Sequence, residues 1–178
     1  MEGGTGKLIS PRPVVGVSSC LLGNEVRYDG RHKLNRFVCE ELAREFDLEA
    51  FCPEVAIGMG IPRPPIRLAA RNGIIEALGV ENIDLDVTTP LREYGREIAR
   101  RIGHLSGFVL KKGSPSCGVN GVPVCNADGT EHVDGIGLFA AEIIAAVPGL
   151  PVAEENQFDD PVVREAFMAR VHAFHGQR

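Results

Sequence analysis

Three of the five cysteines, Cys20, Cys52 and Cys117, each follow a short apolar segment of the kind that forms a buried strand. In the same order, the segments are residues 14–17, 48–51 and 107–110. Cysteine thiolates bind metal ions and iron–sulfur clusters. A set of three thiolates leaves one coordination position open, which favours a catalytic metal or a cluster with one substrate-accessible iron over a closed structural site.

The spacing of these cysteines matches no zinc-finger or ferredoxin motif, so only the fold can bring them together. Segments with strand character alternate with helical segments along the chain. This order predicts an α/β fold with a mostly parallel sheet and helices on both of its faces, as in Rossmann-like proteins. Ligands of such sheets bind beyond the carboxyl ends of the strands. We therefore expect the three cysteines to meet at that edge.

Apolar residues at helical spacing predict the helices that support this sheet. Thr88 or Thr89 is expected to cap the long central helix with Pro90 in its first position, and an Asp-Pro pair at 160–161 is expected to start the last one. The predicted helices are residues 34–46, 90–105, 135–147 and 161–174. Further strands are predicted at 66–68, 73–77 and 150–153, the first two as short edge strands.

Composition excludes several classes of protein. The chain has 178 residues, 44% of them hydrophobic, which fits a flexible N-terminal segment at 1–12 and a single domain at 13–178. Its net charge of −5 gives no general attraction to nucleic acid, so such contact would need a local basic patch. No apolar stretch reaches the roughly 20 residues of a membrane span, and we expect a cytoplasmic protein without membrane contact. Cytoplasmic thiols stay reduced, which favours metal binding or catalysis over disulfides.

The two remaining cysteines have ordinary structural interpretations. Cys39 lies in the middle of the predicted helix 34–46, where packing explains it. Cys125 lies between the apolar residues 122–124 and a turn sequence at 126–129, which predicts a hairpin. Cys125 is nevertheless the only plausible fourth ligand.

The segments VSSCLLGNEVRYDGRHK (17–33), FCPEVAIGMGIPRPPIRL (51–68) and FVLKKGSPSCG (108–118) resemble the thiouracil desulfurase family. They occur in the family's order and spacing, and SPSCG and CPEV are far more specific than a single cysteine. The resemblance implies a 4Fe-4S cluster held by Cys20, Cys52 and Cys117. It also implies removal of sulfur from a thiolated uracil, so that C=S becomes C=O without net redox change.

Glu54 is the predicted general acid/base of this reaction, because it follows Cys52 by two residues and would lie beside the metal centre. The structural alternative is a carboxylate that pairs with Arg63 or Arg67. Glu49, which precedes the same cysteine, is a weaker candidate for the catalytic role.

Three further residues are predicted to contact the substrate. Ser114, in the SPSC motif, is expected to donate a hydrogen bond to the substrate or to stabilise the tetrahedral intermediate, as the corresponding serine of the family implies. Its alternative role is that of a turn serine bonded to its own backbone. Tyr28 and Lys112 are expected to contact the uracil ring or a ribose phosphate, although a packed tyrosine and a solvated lysine would be equally ordinary.

The substrate class is less sharply indicated. Residues 62–68 and 150–174 resemble the amino-terminal half of longer two-domain family members, which the resemblance associates with 4-thiouridine in tRNA. This chain ends at Arg178, where the second domain of those relatives begins. We therefore expect a free thiolated base or nucleoside, such as 2-thiouracil or 4-thiouridine, or tRNA reached through a local patch or a separate partner domain.

Two other classes of function remain open. The first is an iron–sulfur sensor or accessory binding module without catalysis, since a fold and a cluster do not fix a function. The second is a thiol or zinc hydrolase, which needs a base such as histidine near the nucleophile. None of the five histidines lies in a cysteine motif, so the hydrolase ranks last.

Overall fold

The computed structural model describes residues 12–177, so the predicted flexible segment 1–12 lies, except for Arg12, outside the described residues. In chain order the strands are β1 (Val14–Ser18), β2 (Asp47–Phe51), β3 (Ile66–Arg71), β4 (Ile74–Gly79), β5 (Leu105–Leu110), β6 (Val122–Cys125), β7 (Glu131–Gly135) and β8 (Val152–Glu154). The helices are α1 (Ala43–Glu45), α2 (Pro53–Ala56), α3 (Thr88–Arg101), α4 (Leu138–Ala146) and α5 (Pro161–His175). No helix in this part of the chain is long and apolar enough to cross a membrane.

The first sheet has the strand order β2-β1-β5-β8 and is parallel throughout. Alternate residues of β5 face opposite sides of this sheet. Val109 therefore packs into one apolar cluster and Phe108 into another. Phe167 of α5 covers the first face, and Phe139 of α4 covers the second. The predicted α/β fold, with helices on both faces of a parallel sheet, is confirmed.

A second sheet, with the order β4-β3-β6-β7, was not predicted. It is mixed, because β3 pairs antiparallel with β4 and parallel with β6. The prediction of two short edge strands is therefore wrong for β3, which has a partner on each side and continues to Arg71. Leu68 and Val124 pair across this sheet and pack against Leu138 at the start of α4. The second sheet thus rests on a helix that also covers the first.

Several helices begin at other residues than the sequence predicted. The helix predicted at 34–46 begins as a π-helix at Phe37–Leu42, which continues into α1. The helix predicted at 135–147 begins only at Leu138, because Gly135 pairs with β6. Neither Thr88 nor Thr89 caps α3, whose N-cap is Val87. The cap at Asp160 is confirmed, since its carboxylate accepts the backbone N–H of Val162 at 2.8 Å.

Candidate functional site

A cavity of about 480 Å³ opens at the carboxyl edge of the parallel sheet. Cys20, Cys52 and Cys117 all line it. The same cavity is lined by the other residues that the sequence singled out, which are Tyr28, Glu54, Lys112 and Ser114. The fold therefore brings together all seven predicted site residues.

Two of the cysteines are placed by the strands that precede them. Cys20 lies in a 3-10 turn, Ser19–Leu22, directly after β1, and its carbonyl accepts the backbone N–H of Lys33 at 2.9 Å. Cys52 follows β2 and is the N-cap of α2, which begins with Pro53 because proline fits the first turn of a helix. Since β1 and β2 are parallel neighbours, both cysteines lie at one edge.

Cys117 is held by the geometry of the loop after β5. The hydroxyl oxygen of Ser114 accepts the backbone N–H of Ser116 at 3.2 Å and that of Cys117 at 3.1 Å. The carbonyl of Ser116 in turn accepts the N–H of Phe139 at the start of α4. The turn role considered for Ser114 is therefore present, and its hydroxyl hydrogen is left to donate to a bound molecule.

Burial determines the electrostatics of the three thiols. It raises the pKa of Cys20 to about 11, although the nearby charges of Arg27 and Lys111 oppose the shift. Burial likewise raises the pKa of Cys52 and of Cys117. Cys20 and Cys52 each add to the rise at Cys117 through charge repulsion. A metal that binds here would replace thiol protons.

Among residues 12–177, no three His, Cys, Asp or Glu side chains are grouped closely enough to hold one ion. Thiolates that hold an iron–sulfur cluster bind different iron atoms and so lie further apart than the ligands of one zinc ion. Three thiols that line one cavity are the donor set that a cluster with one iron free of cysteine requires.

Glu54 projects from α2 into the cavity, and both of its oxygens accept hydrogen bonds. Arg63 Nε donates to Oε2 at 2.7 Å, and Ser116 Oγ donates to Oε1 at 2.8 Å. The alternative pairing with Arg63 is thus observed together with the predicted position beside the cysteines. Glu49 is not at the site, because it is half exposed and pairs with His104.

Positive charge surrounds the cavity and was only partly anticipated. Besides Lys112, the cations Arg27, Lys33 and Lys111 line it, and Lys111 pairs with Glu155. These residues lie in the segments 17–33 and 108–118, which resemble the thiouracil desulfurase family. That resemblance was the only sequence feature that could have indicated them as site residues. The Arg27 guanidinium lies 5.4 Å from the ring centroid of Tyr28, a residue that is 42% exposed.

The remaining cysteines and all histidines lie elsewhere. Cys39 donates its S–H to the carbonyl of Leu21, and Cys125 lies in β6 with its S–H directed to Asn126. Neither lines the cavity, and neither does any of the five histidines, all of which fall within the described residues. The arrangement therefore offers no cysteine as a fourth ligand and no histidine base for a thiol hydrolase.

Comparison with known proteins agrees with this geometry. A family model described as 2-thiouracil desulfurase matches residues 15–155, a range that contains every residue lining the cavity. The uncharacterized protein YbbK of Bacillus subtilis (strain 168) is 30% identical over 155 residues, which span 81% of this chain and 97% of that protein. A solved structure described as the 4Fe-4S-dependent thiouracil desulfidase TudS is similar, with a TM-score of 0.64 and 32% identity over 86% of this chain and 98% of that chain.

Proposed function

Because the chain belongs to the 2-thiouracil desulfurase family, we propose that it binds a 4Fe-4S cluster and removes sulfur from a thiolated uracil compound. Cys20, Cys52 and Cys117 are the proposed ligands. The observation that carries the proposal is their convergence with Glu54 on a single cavity at the carboxyl edge of the parallel sheet. The description of the similar solved structure supports the choice of cluster.

The residues present fit such a cluster. Three thiols share the cavity, and neither of the other cysteines lines it. Cys20, Cys52 and Cys117 would hold three irons of such a cluster, which would leave one iron without a cysteine ligand. The cations Arg27 and Lys111 lie near Cys20 and would partly balance the negative charge of bound thiolates. The same chemistry requires reduced thiols, which supports a cytoplasmic location.

The proposed reaction exchanges one atom and transfers no electrons. One water adds to the thiocarbonyl carbon, its oxygen remains as C=O, and sulfur leaves as hydrogen sulfide. When bound, the cluster supplies a Lewis-acidic iron with affinity for sulfur. Glu54 takes a proton from the attacking water, since among residues 12–177 its carboxylate is the only acidic side chain that lines the cavity. Ser114 donates its hydroxyl hydrogen to the substrate as charge develops on the addition intermediate.

The cavity also provides surfaces for a planar ring. Phe51 and Ile66 form part of an apolar wall, and Tyr28 lies at the entrance. Apolar walls with a few directed polar groups are typical of small-molecule sites, and about 480 Å³ is in the usual range for them. We propose 2-thiouracil or 4-thiouridine as the substrate, with Tyr28 and Lys112 in contact with the ring or sugar. Thiolated tRNA would need the exposed cations of the entrance or a separate partner domain.

Turnover by the cluster-loaded protein tests this function. The cluster is reconstituted without oxygen, and 2-thiouracil, 4-thiouridine and thiolated tRNA are added separately while thiocarbonyl absorbance and released sulfide are followed. We expect loss of the thiocarbonyl band with at least one substrate, and none with Glu54→Ala. A protein that holds a full cluster but desulfurates none of the three would instead be a sensor or accessory module.

A further inference from the structure

Arg63 is an unusual residue for the proline-rich connector between α2 and β3, because its side chain is only 3% exposed. Its guanidinium makes three hydrogen bonds. Nε donates to Glu54 Oε2 at 2.7 Å, and an Nη donates to the carbonyls of Val26 at 2.9 Å and Gly60 at 3.0 Å. A buried charge with this many partners has one fixed orientation, which the planar fork of arginine provides and the point charge of lysine does not.

Ser116 holds the opposite oxygen of the same carboxylate. Its side chain is fully buried, and Oγ donates to Glu54 Oε1 at 2.8 Å. Ser116 immediately precedes Cys117 and belongs to the loop after β5, whereas Arg63 precedes β3 in the second sheet. Glu54 is therefore fixed by donors from two separate parts of the fold, one on each oxygen.

The same arginine also connects Glu54 to the entrance of the cavity. The backbone N–H of Arg63 donates to the carbonyl of Tyr28 at 2.9 Å, and its guanidinium holds the carbonyl of Val26. The Cys52 thiol is directed to that same Val26 carbonyl at 3.7 Å. One buried side chain thus links the proposed proton acceptor to the loop that carries the proposed ring contact.

We propose that Arg63 and Ser116 are positioning residues that fix the orientation of the Glu54 carboxylate towards the thiocarbonyl carbon, a role that rests on the proposed function. A carboxylate bound only for structural reasons would not need to line the cavity, yet Glu54 does so while both oxygens are held. Each carboxylate oxygen uses one lone pair for its hydrogen bond to Arg63 or Ser116 and has a second one free. Either oxygen can therefore accept the proton from water while both hydrogen bonds remain.

The test measures the hydrogen bonds of Glu54 by infrared spectroscopy and, separately, their effect on the reaction by kinetics. Protein labelled with ¹³C in the glutamate side-chain carboxylate is prepared as wild type, Ser116→Ala, Arg63→Lys and Glu54→Gln, with Arg67→Lys as a matched control. Arg67 is exposed on β3 and does not line the cavity. The infrared difference between wild type and Glu54→Gln identifies the Glu54 band without any substrate present, and kcat and KM are then measured on the cluster-loaded proteins.

We expect the Glu54 band to shift in Ser116→Ala and Arg63→Lys and to stay unchanged in Arg67→Lys. We expect kcat to fall about tenfold or more in Ser116→Ala, with KM nearly constant and cluster content equal to wild type, because small misplacements of a reacting group have large effects on rate. The Ser116→Ala result keeps the test decisive if Arg63→Lys does not fold.

Two results overturn this role for Arg63 and Ser116. An unchanged Glu54 band in Ser116→Ala would show that the hydrogen bond from Ser116 does not determine the environment of the carboxylate. An unchanged kcat in the same variant would show that the orientation of the carboxylate does not limit the reaction. Wild-type protein that holds a full cluster and turns over no substrate would remove the proposed function, and with it the role, whatever the infrared bands show.

Discussion

The carboxylate of Glu154, at the end of β8, accepts the backbone N–H of Val119 at 2.8 Å. The next residue, Glu155, accepts the backbone N–H of Lys112 at 2.7 Å. Cys117 lies between these two attachment points. Two consecutive carboxylates, one at the end of β8 and one directly after it, thus hold both ends of the loop that presents the third thiol to the cavity.

Replacement of Glu154 by glutamine should weaken this loop. Glu154 is 6% exposed, and its carboxylate also accepts the backbone N–H of Gln157. An amide oxygen cannot match a carboxylate at these N–H groups, and its NH₂ group adds buried donors without partners. We expect the free energy of unfolding to fall by about 1–3 kcal/mol, and less iron to be retained per chain.

Urea denaturation of the metal-free protein and iron analysis after reconstitution check this prediction. Glu131→Gln, at an exposed position of β7, is the matched control and should leave both quantities unchanged. Equal unfolding midpoints and equal iron content for Glu154→Gln and wild type would show that the loop does not depend on the carboxylate.

Single alanine substitutions should divide the cysteines into two groups. Cys20→Ala, Cys52→Ala and Cys117→Ala should each lose the iron–sulfur absorbance and most of the bound iron and sulfide, because each removes one of only three thiolates that line the cavity. Cys39→Ala and Cys125→Ala should retain a full cluster. Loss of the cluster in Cys125→Ala alone would instead assign that residue as a fourth ligand.

Ser114→Ala should affect both the loop and the rate. The substitution removes the oxygen that accepts the N–H groups of Ser116 and Cys117, which should lower the free energy of unfolding by about 1 kcal/mol. It also removes a hydrogen-bond donor to the substrate, for which we expect a loss of about 10²-fold to 10³-fold in kcat.

Ser114→Thr is the matched control, because threonine keeps both the oxygen that accepts these N–H groups and the hydroxyl hydrogen. We expect it to recover much of the kcat, as measured by sulfide release. If Ser114→Ala lowered stability but not kcat, Ser114 would be a turn residue only.

The thiols of the metal-free protein should react slowly at neutral pH. Burial raises the pKa of Cys20 to about 11, so its reactive thiolate is scarce near pH 7 and increases as the pH rises towards that value. Alkylation with iodoacetamide, read for each peptide by mass spectrometry, should therefore accelerate at Cys20 between pH 7 and pH 10. A rate at Cys20 that is independent of pH over this range would contradict the burial-raised pKa.

The placement of the cysteines could be predicted because it depends on local patterns and one general rule. Each apolar segment ends shortly before a cysteine, and parallel strands direct their carboxyl ends to one edge. The second sheet could not be predicted in this way. Its central pairing joins Leu68 to Val124, and no local pattern specifies a partner that far along the chain.

The environment of Glu54 was predictable only in part. Its position two residues after Cys52 indicated the site, and the sequence offered Arg63 and Arg67 equally as partners. An arginine among prolines and glycines normally indicates an exposed connector, whereas the Arg63 side chain is buried in contact with Glu54 and the carbonyl of Val26, which are distant in the sequence. Ser116 gave no signal of its own, because its contact with Glu54 depends on the loop geometry that Glu154, Glu155 and the start of α4 impose.

Incorporation of oxygen from water tests the central claim most directly. Cluster-loaded protein is incubated without oxygen or added reductant in ¹⁸O-labelled water with 2-thiouracil, or with whichever thiolated substrate is turned over, and the product is analysed by mass spectrometry. We predict a product that carries one ¹⁸O atom at the former thiocarbonyl carbon, together with one equivalent of sulfide. Product without the label, or turnover only when a reductant is added, would contradict a hydrolytic desulfuration at this site.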